Sequence, residues 1–131
     1  FARDRDEDAL DAAKKNIKAA GLSKLITVEE ADALKSPPPT GPAGLVISNP
    51  PYGDRIGTGG QKGMKSFYFA LGNAMAEWTG WRVAMLAGNP GFESAFHRRP
   101  SKRLELFNGA IECELLQYAA RLSADSRGAT E

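Results

Sequence analysis

With 131 residues, 42% hydrophobic and 25% charged, the chain has the composition of one ordinary globular domain with room for a substantial core. A net charge of +1 excludes a polycation that grips nucleic acid by charge alone, so any RNA affinity must come from a local patch or another domain. The lone Cys113 excludes an intramolecular disulfide and a cysteine metal cluster and suits a reducing cytoplasm, and with no signal peptide or run of ~18 apolar residues read in it, no membrane role is expected.

Phe1 to Asp4 read as the last residues of a strand. Asp6 is a good N-cap, Glu7 and Asp8 sit where a helix favours acids, and Leu10, Ala13, Ile17 and Ala20 make an apolar stripe at helical spacing that Gly21 ends. A second strand is expected from Leu25 to Glu30, where Ile26 and Val28 alternate with polar neighbours, closing at Ala31-Asp32-Ala33-Leu34. Ser36 to Pro42, with four prolines, is a stiff surface connection.

Leu45-Val46-Ile47 form a continuous apolar run, the signature of a strand covered on both faces in a parallel α/β sheet. The run stops at Asn49-Pro50-Pro51-Tyr52, at a carboxyl end of the kind where such sheets bind ligands. Asn49 offers a side-chain carbonyl, Pro50 a backbone carbonyl without an N–H, and Pro51 removes a second donor, so the turn is rich in acceptors. Two acceptors gripping a planar NH2 group would favour a pyramidal nitrogen with its lone pair free to attack. Tyr52 adds an aromatic face of the kind on which an extruded base is held. The plain alternative is a proline turn with a capping asparagine and a core tyrosine.

Beyond this turn, Gly57 to Gly63 hold four glycines and read as a mobile loop, either a lid or a linker. Met64 to Trp78 read as a helix whose stripe of Phe67, Leu71, Ala74, Met75 and Trp78 belongs to a core. Arg82 to Ala87 form a strand broken at Gly88-Asn89-Pro90, and Phe92 to Phe96 one short helix. His97, Arg98, Arg99, Lys102 and Arg103 make the most basic cluster, either an RNA phosphate contact or a solvated loop. Asn108-Gly109 is a two-residue hairpin signal, so the chain is expected to end in an antiparallel pair, with residues 123–131 a frayed tail after a domain of residues 1–122.

Asn49-Pro50-Pro51-Tyr52 resembles the motif of S-adenosylmethionine-dependent methyltransferases that modify exocyclic amino or amide nitrogens. With Gly53-Asp54-Arg55 and with Phe107-Asn108-Gly109-Ala110-Ile111-Glu112-Cys113-Glu114-Leu115-Leu116, residues 1–118 resemble the large-subunit ribosomal RNA guanine-N2 methyltransferases. The resemblance implies a Rossmann-like α/β methyltransferase fold, a mostly parallel sheet with a C-terminal antiparallel hairpin, and an RNA-binding THUMP domain ahead of the catalytic one. It also implies a first strand and a glycine-rich turn ahead of the Asp4 strand in sequence, that first strand lying in the sheet between the strands ending at Asp4 and Asn49. Neither is found here, so the chain is expected to be the C-terminal part of a longer enzyme and inactive by itself.

The expected cofactor is S-adenosylmethionine. Asp4, at a strand end where a carboxylate can accept both hydroxyls of a ribose, is assigned to it, because Asp6 already caps the helix and leaves Asp4 no structural task. By the resemblance, Asp32 accepts from the adenine amino group and Ala33 donates through its backbone. Asn49, with the Pro50 carbonyl, is assigned to the reacting amine, beside Pro51 and Tyr52 and facing the cofactor. Arg55, Arg98 and Arg99 are candidate RNA contacts. An activated sulfonium needs no nucleophilic triad or metal, and none is expected; catalysis would rest on alignment and polarisation. An adenine N6 or protein glutamine acceptor, and a non-catalytic RNA-binding module, are the competing readings.

Overall fold

The computed structural model describes residues 1–53 and 60–123, which form two compact units divided between Thr40 and Gly41. In the first, strand β1 (Ala2–Asp4), helix α1 (Glu7–Ala19) and strand β2 (Val28–Glu30) make a β-α-β unit whose strands pair in parallel, Ala2 opposite Val28 and Asp4 opposite Glu30. Asp6 caps α1 by accepting from the Asp8 N–H at 3.0 Å. At the other end Leu22 N–H reaches Ile17 C=O and Gly21 N–H reaches Lys18 C=O, a Schellman ending that needs the left-handed φ of +72° at Gly21. The strand expected from Leu25 begins only at Val28. Leu22 C=O accepts from both Leu25 and Ile26 N–H, which holds residues 22–26 in a turn and leaves Leu25 79% exposed. Arg3 joins β1 to its surroundings, donating to Glu29 across the strands at 2.7 Å and to the Pro37 carbonyl at 2.8 Å.

The second unit contains β3 (Leu45–Ser48), α2 (Gly60–Ala76), β4 (Arg82–Ala87), α3 (Phe92–Phe96), β5 (Lys102–Asn108) and β6 (Ile111–Tyr118). Its sheet runs in the order β3-β4-β6-β5, with β3 and β4 parallel and the other two pairs antiparallel. Val83 lies opposite Tyr118 and Met85 opposite Leu116, so these four share a face, and all are buried. Met64, Tyr68, Leu71 and Met75, at three- and four-residue spacing on α2, are buried with them, as are Phe92 and Phe96 of α3. Tyr68 meets Phe92 edge-on at 4.8 Å, Phe92 stacks on Phe96 at 5.1 Å, and Phe96 meets Tyr118 at 5.0 Å, so aromatic contacts link both helices to β6.

Two expectations are corrected here. The apolar run of β3 is not covered on both faces: Leu45 and Ile47 are 49% and 64% exposed, while Val46 and Ser48, on the other face, are half-buried. In the terminal hairpin Asn108 pairs with Ile111, which makes Gly109-Ala110 the two-residue loop and Asn108 the last residue of β5. Positive φ occurs at Gly109 (+63°) but not at Ala110, the pattern of a turn with glycine first rather than of the Asn-Gly type. The helix expected from Met64 starts at Gly60, while β4 and α3 have the expected bounds. Gly60 to Gly63, expected in a mobile loop, instead form the first turn of α2, while residues 57–59 of that loop and residues 124–131 of the expected tail lie outside the described residues. No helix among the described residues is long and apolar enough to cross a membrane.

Two substitutions test this packing. A Cβ at Gly72 would overlap the Phe96 carbonyl oxygen, where α2 and α3 cross closely. Gly72→Ala is therefore expected to lower stability by about 1–3 kcal/mol, read as a lower urea midpoint. The Tyr118 hydroxyl is buried without a hydrogen-bond partner among the described residues, and burial pushes its pKa upward. Removing an unpaired buried hydroxyl relieves its desolvation cost, so Tyr118→Phe should raise stability by about 1 kcal/mol in the same assay.

Candidate active site

The turn after β3 contains two prolines and so has carbonyls that no neighbouring N–H of its own can satisfy. Other elements supply the donors. Tyr68 of α2 donates its hydroxyl to the Pro51 carbonyl at 2.5 Å, and Asn89 Nδ2, just beyond β4, donates to the Tyr52 carbonyl at 2.9 Å. Asn89 Oδ1 in turn accepts from Gly91 N–H at 2.8 Å, tying the turn to the start of α3. Pro50 is buried, and Gly53 leaves the turn at φ +106°, where an added Cβ would crowd Met64 at 3.2 Å.

The Tyr52 ring is fixed separately. A Cβ built on Gly88 would lie 2.6–2.7 Å from three consecutive ring atoms, so the face of the ring rests on the bare Cα of that glycine. Its hydroxyl accepts from Asn108 Nδ2 at 3.2 Å and from Cys113 Sγ at 3.6 Å, both on the terminal hairpin, and interacts also with the Asn49 side chain. Burial raises the Tyr52 pKa above its ordinary value of 10, the hydrogen bonds from Asn108 and Asn49 only partly opposing it, so the phenol is neutral at physiological pH. Asn49 itself is exposed at the strand end, and among the described residues no backbone N–H or side chain donates to the Pro50 carbonyl. The Asn49 side-chain oxygen and the Pro50 carbonyl thus accept from no donor among the described residues, beside one aromatic ring on a backbone held by α2, Asn89 and the hairpin.

Beside Gly88 and Cys113 opens a cavity of about 550 Å³, lined also by Asn89, Glu93, Glu105, Phe107 and Glu112. Its carboxylates disfavour phosphate and suit hydrogen-bond donors. Glu93 is held below the usual carboxylate range by a two-pronged contact with Arg103, at 2.5 and 2.8 Å.

In the first unit, Asp4 and Asp32 stand at or just beyond the carboxyl ends of the parallel neighbours β1 and β2. Asp4 does have a local task, because its Oδ1 accepts from Asp6 N–H at 2.9 Å. Asp4 is therefore not left without a structural task, and a ribose role does not follow for it by elimination. Asp32 Oδ1 accepts from Leu34 N–H at 2.9 Å and its carbonyl from the Ser36 hydroxyl at 2.7 Å, which shapes the loop around the exposed Ala33. Each carboxylate keeps its second oxygen clear of the hydrogen bonds formed among the described residues, an acceptor of the kind a diol or an amino group can donate to.

The basic cluster does not act as one. Arg98 lies over the Tyr118 ring at 5.2 Å and donates to the Ala119 carbonyl, with burial lowering its pKa, and Arg103 is engaged by Glu93. Arg99 and Lys102 remain exposed. Asp54 and Arg55 lie outside the described residues. Tyr68, Gly88, Asn89 and Asn108 were not among the expected site residues, although the strand break at Gly88-Asn89-Pro90 and the Asn108-Gly109 turn signal marked three of them.

The ribosomal RNA large subunit methyltransferase K/L of Aeromonas salmonicida (strain A449) is 38% identical over 141 residues, covering 95% of this chain and 19% of that protein, so the chain spans only a small part of this curated relative. Among solved structures, SMU.472, assigned as a methyltransferase and complexed with SAH, matches with a TM-score of 0.81 and 26% identity over 92% of this chain and 31% of its own. A protein from Clostridium difficile 630 assigned as a methylase matches with the same TM-score at 28% identity, again over 92% and 31%. The α/β topology with its antiparallel terminal strands is that of the Rossmann-like methyltransferases. A family model, the RMKL-like methyltransferase domain, matches residues 1–117, and the chain belongs to that family.

Proposed function

We propose that this chain supplies the acceptor site of an enzyme that transfers a methyl group from S-adenosylmethionine to the exocyclic N2 amino group of a guanine in RNA, with 23S ribosomal RNA the substrate. The observation that carries the reading is the clamped turn, in which the Asn49 side chain and the Pro50 carbonyl are left available as acceptors beside a fixed aromatic ring. The name of the Aeromonas relative supports ribosomal RNA as the substrate class.

The sulfonium cofactor, when bound, supplies a methyl group already activated for transfer. Asp4 would hold its ribose, and Asp32 with the Ala33 N–H its adenine. The chain's own chemistry is then alignment. Asn49 Oδ1 and the Pro50 carbonyl accept the two hydrogens of the guanine amine, which directs the nitrogen lone pair along the line of transfer. Tyr52 carries the extruded base on its ring. Pro51 spends its carbonyl on Tyr68 and serves to stiffen the turn. The proton lost from the amine passes to solvent after transfer. Arg99, and Arg55 beyond the described residues, are offered as contacts to RNA phosphates, while Arg98 would have to leave Tyr118 and Ala119 to make one. An RNA-binding domain elsewhere in the full-length protein would deliver the substrate, in the cytoplasm where ribosomal RNA lies.

Labelled-methyl transfer to RNA from a host lacking the gene, followed by nucleoside analysis, tests the assignment. N2-methylguanosine is expected; N6-methyladenosine or methylated glutamine would contradict it, and RNA binding without transfer would leave only a binding module. In the full-length protein Asn49→Ala is expected to lower turnover by ~10²–10³-fold with little change in cofactor affinity, and near-normal turnover would refute its role. Asp4→Ala should do the reverse, weakening cofactor binding in calorimetry first. Unchanged affinity would reduce Asp4 to its local bond with Asp6 N–H.

A further inference from the structure

The hairpin turn has an unexpected register, and this gives Asn108 a task. Had Asn108-Gly109 formed the loop, the asparagine would have been spent on the positive-φ position of the turn. Instead Gly109-Ala110 make the loop, Asn108 is the last paired residue of β5, and its side chain reaches the Tyr52 hydroxyl at 3.2 Å across 56 positions of sequence. Cys113, on the paired strand, approaches the same oxygen at 3.6 Å. Gly88 meets a face of the same ring. Contact at a face leaves an aromatic ring free to swing about its Cα–Cβ bond, whereas a hydrogen bond at the far end fixes its pitch. The Tyr52 ring has no aromatic neighbour among the described residues to do this instead.

We propose that Asn108 is a positioning residue for methyl transfer, its amide setting the pitch of the Tyr52 ring and so the angle at which a stacked base presents its amine to Asn49 and the Pro50 carbonyl. This rests on the reading of Tyr52 as the base platform. The hairpin tip thereby becomes part of the acceptor site without touching the reacting atoms. Cys113 cannot substitute for Asn108, because a thiol is a weak donor and this one is shared with the Ile111 carbonyl at 3.5 Å.

The test is a double-mutant cycle on turnover of the full-length protein, with cofactor affinity and the unfolding midpoint followed in parallel. Asn108→Leu keeps the size of the side chain and removes the hydrogen bond; it should lower kcat about 10- to 100-fold, as expected for a misaligned reactant, while leaving cofactor affinity unchanged. Asn108→Asp should restore most of the rate, since the phenol can donate to a carboxylate as readily as it accepts from an amide. Tyr52→Phe removes the same bond from the other side, together with the contacts to Cys113 and Asn49, so it should lose at least as much, and adding Asn108→Leu to it should cost nothing more. Losses that multiply in the double variant, wild-type kcat in Asn108→Leu, or failure of Asn108→Asp to rescue would each overturn the proposal. Tyr52→Ala separates it from the reading beneath it: wild-type turnover in that variant would remove the base platform itself, whereas a large loss there with a silent Asn108→Leu would overturn the positioning role alone.

Discussion

The feature on which the rest of the second unit depends is the satisfaction of carbonyls in a turn that has too few N–H groups. Two adjacent prolines stiffen the chain after β3 and strip it of donors, so its carbonyls must be satisfied from other parts of the fold or left to a ligand. Tyr68 and Asn89 take the carbonyls of Pro51 and Tyr52, and the Pro50 carbonyl accepts from no donor among the described residues. Each donor is itself placed by packing. Tyr68 is buried against Phe92, and Asn89 is fixed by the Gly91 N–H at the entry to α3. The hydrophobic core thus sets the geometry of a polar site through two hydrogen bonds, which suits chemistry that needs alignment more than acid–base groups.

The same arrangement explains several small residues. Gly88 is where the Tyr52 ring lies, and Gly72 is where α2 passes the Phe96 carbonyl, so both glycines exist for close approach. His97, left-handed at φ 48°, ends α3 directly after Phe96, and its ring lies 4.6 Å from that of Phe69. These contacts bring the two helices close enough to present Tyr68 and Asn89 to the same turn. The face of the sheet that carries Leu45 and Ile47 takes no part in this, and its exposed apolar side chains contribute nothing to the clamp.

Local signals were legible in the sequence to the extent that their causes were local. The Asp6 cap, the Gly21 ending, the limits of β4 and α3 and the presence of a terminal hairpin all follow from neighbouring residues, and the structure has them. The turn register departs from the Asn-Gly pattern: Asn108 pairs with Ile111 and its side chain meets Tyr52, a tertiary contact that neighbouring residues do not reveal. The strand around Leu25 was drawn too long because the hydrogen bonds following the helix end compete with the strand for the same N–H groups. Asn49, Pro50, Pro51 and Tyr52 could be singled out from composition and position. The residues that hold them could not, since Tyr68 reads as core, Asn89 as a loop and Gly88 as a strand break until the fold places them together. The elimination that pointed to Asp4 failed for a similar reason, because one side chain can cap locally and still keep an oxygen free.

In the proposed reaction the Asn49–Pro50 acceptors grip a guanine amine while Tyr52 carries its ring. A crystal structure of the full-length protein with S-adenosylhomocysteine and a short RNA containing the target nucleotide tests it most directly. An extruded guanine stacked on Tyr52 is expected, its N2 within hydrogen-bonding distance, roughly 2.7–3.2 Å, of both Asn49 Oδ1 and the Pro50 carbonyl. A base held elsewhere, or one whose N2 faces away from both oxygens, would contradict it.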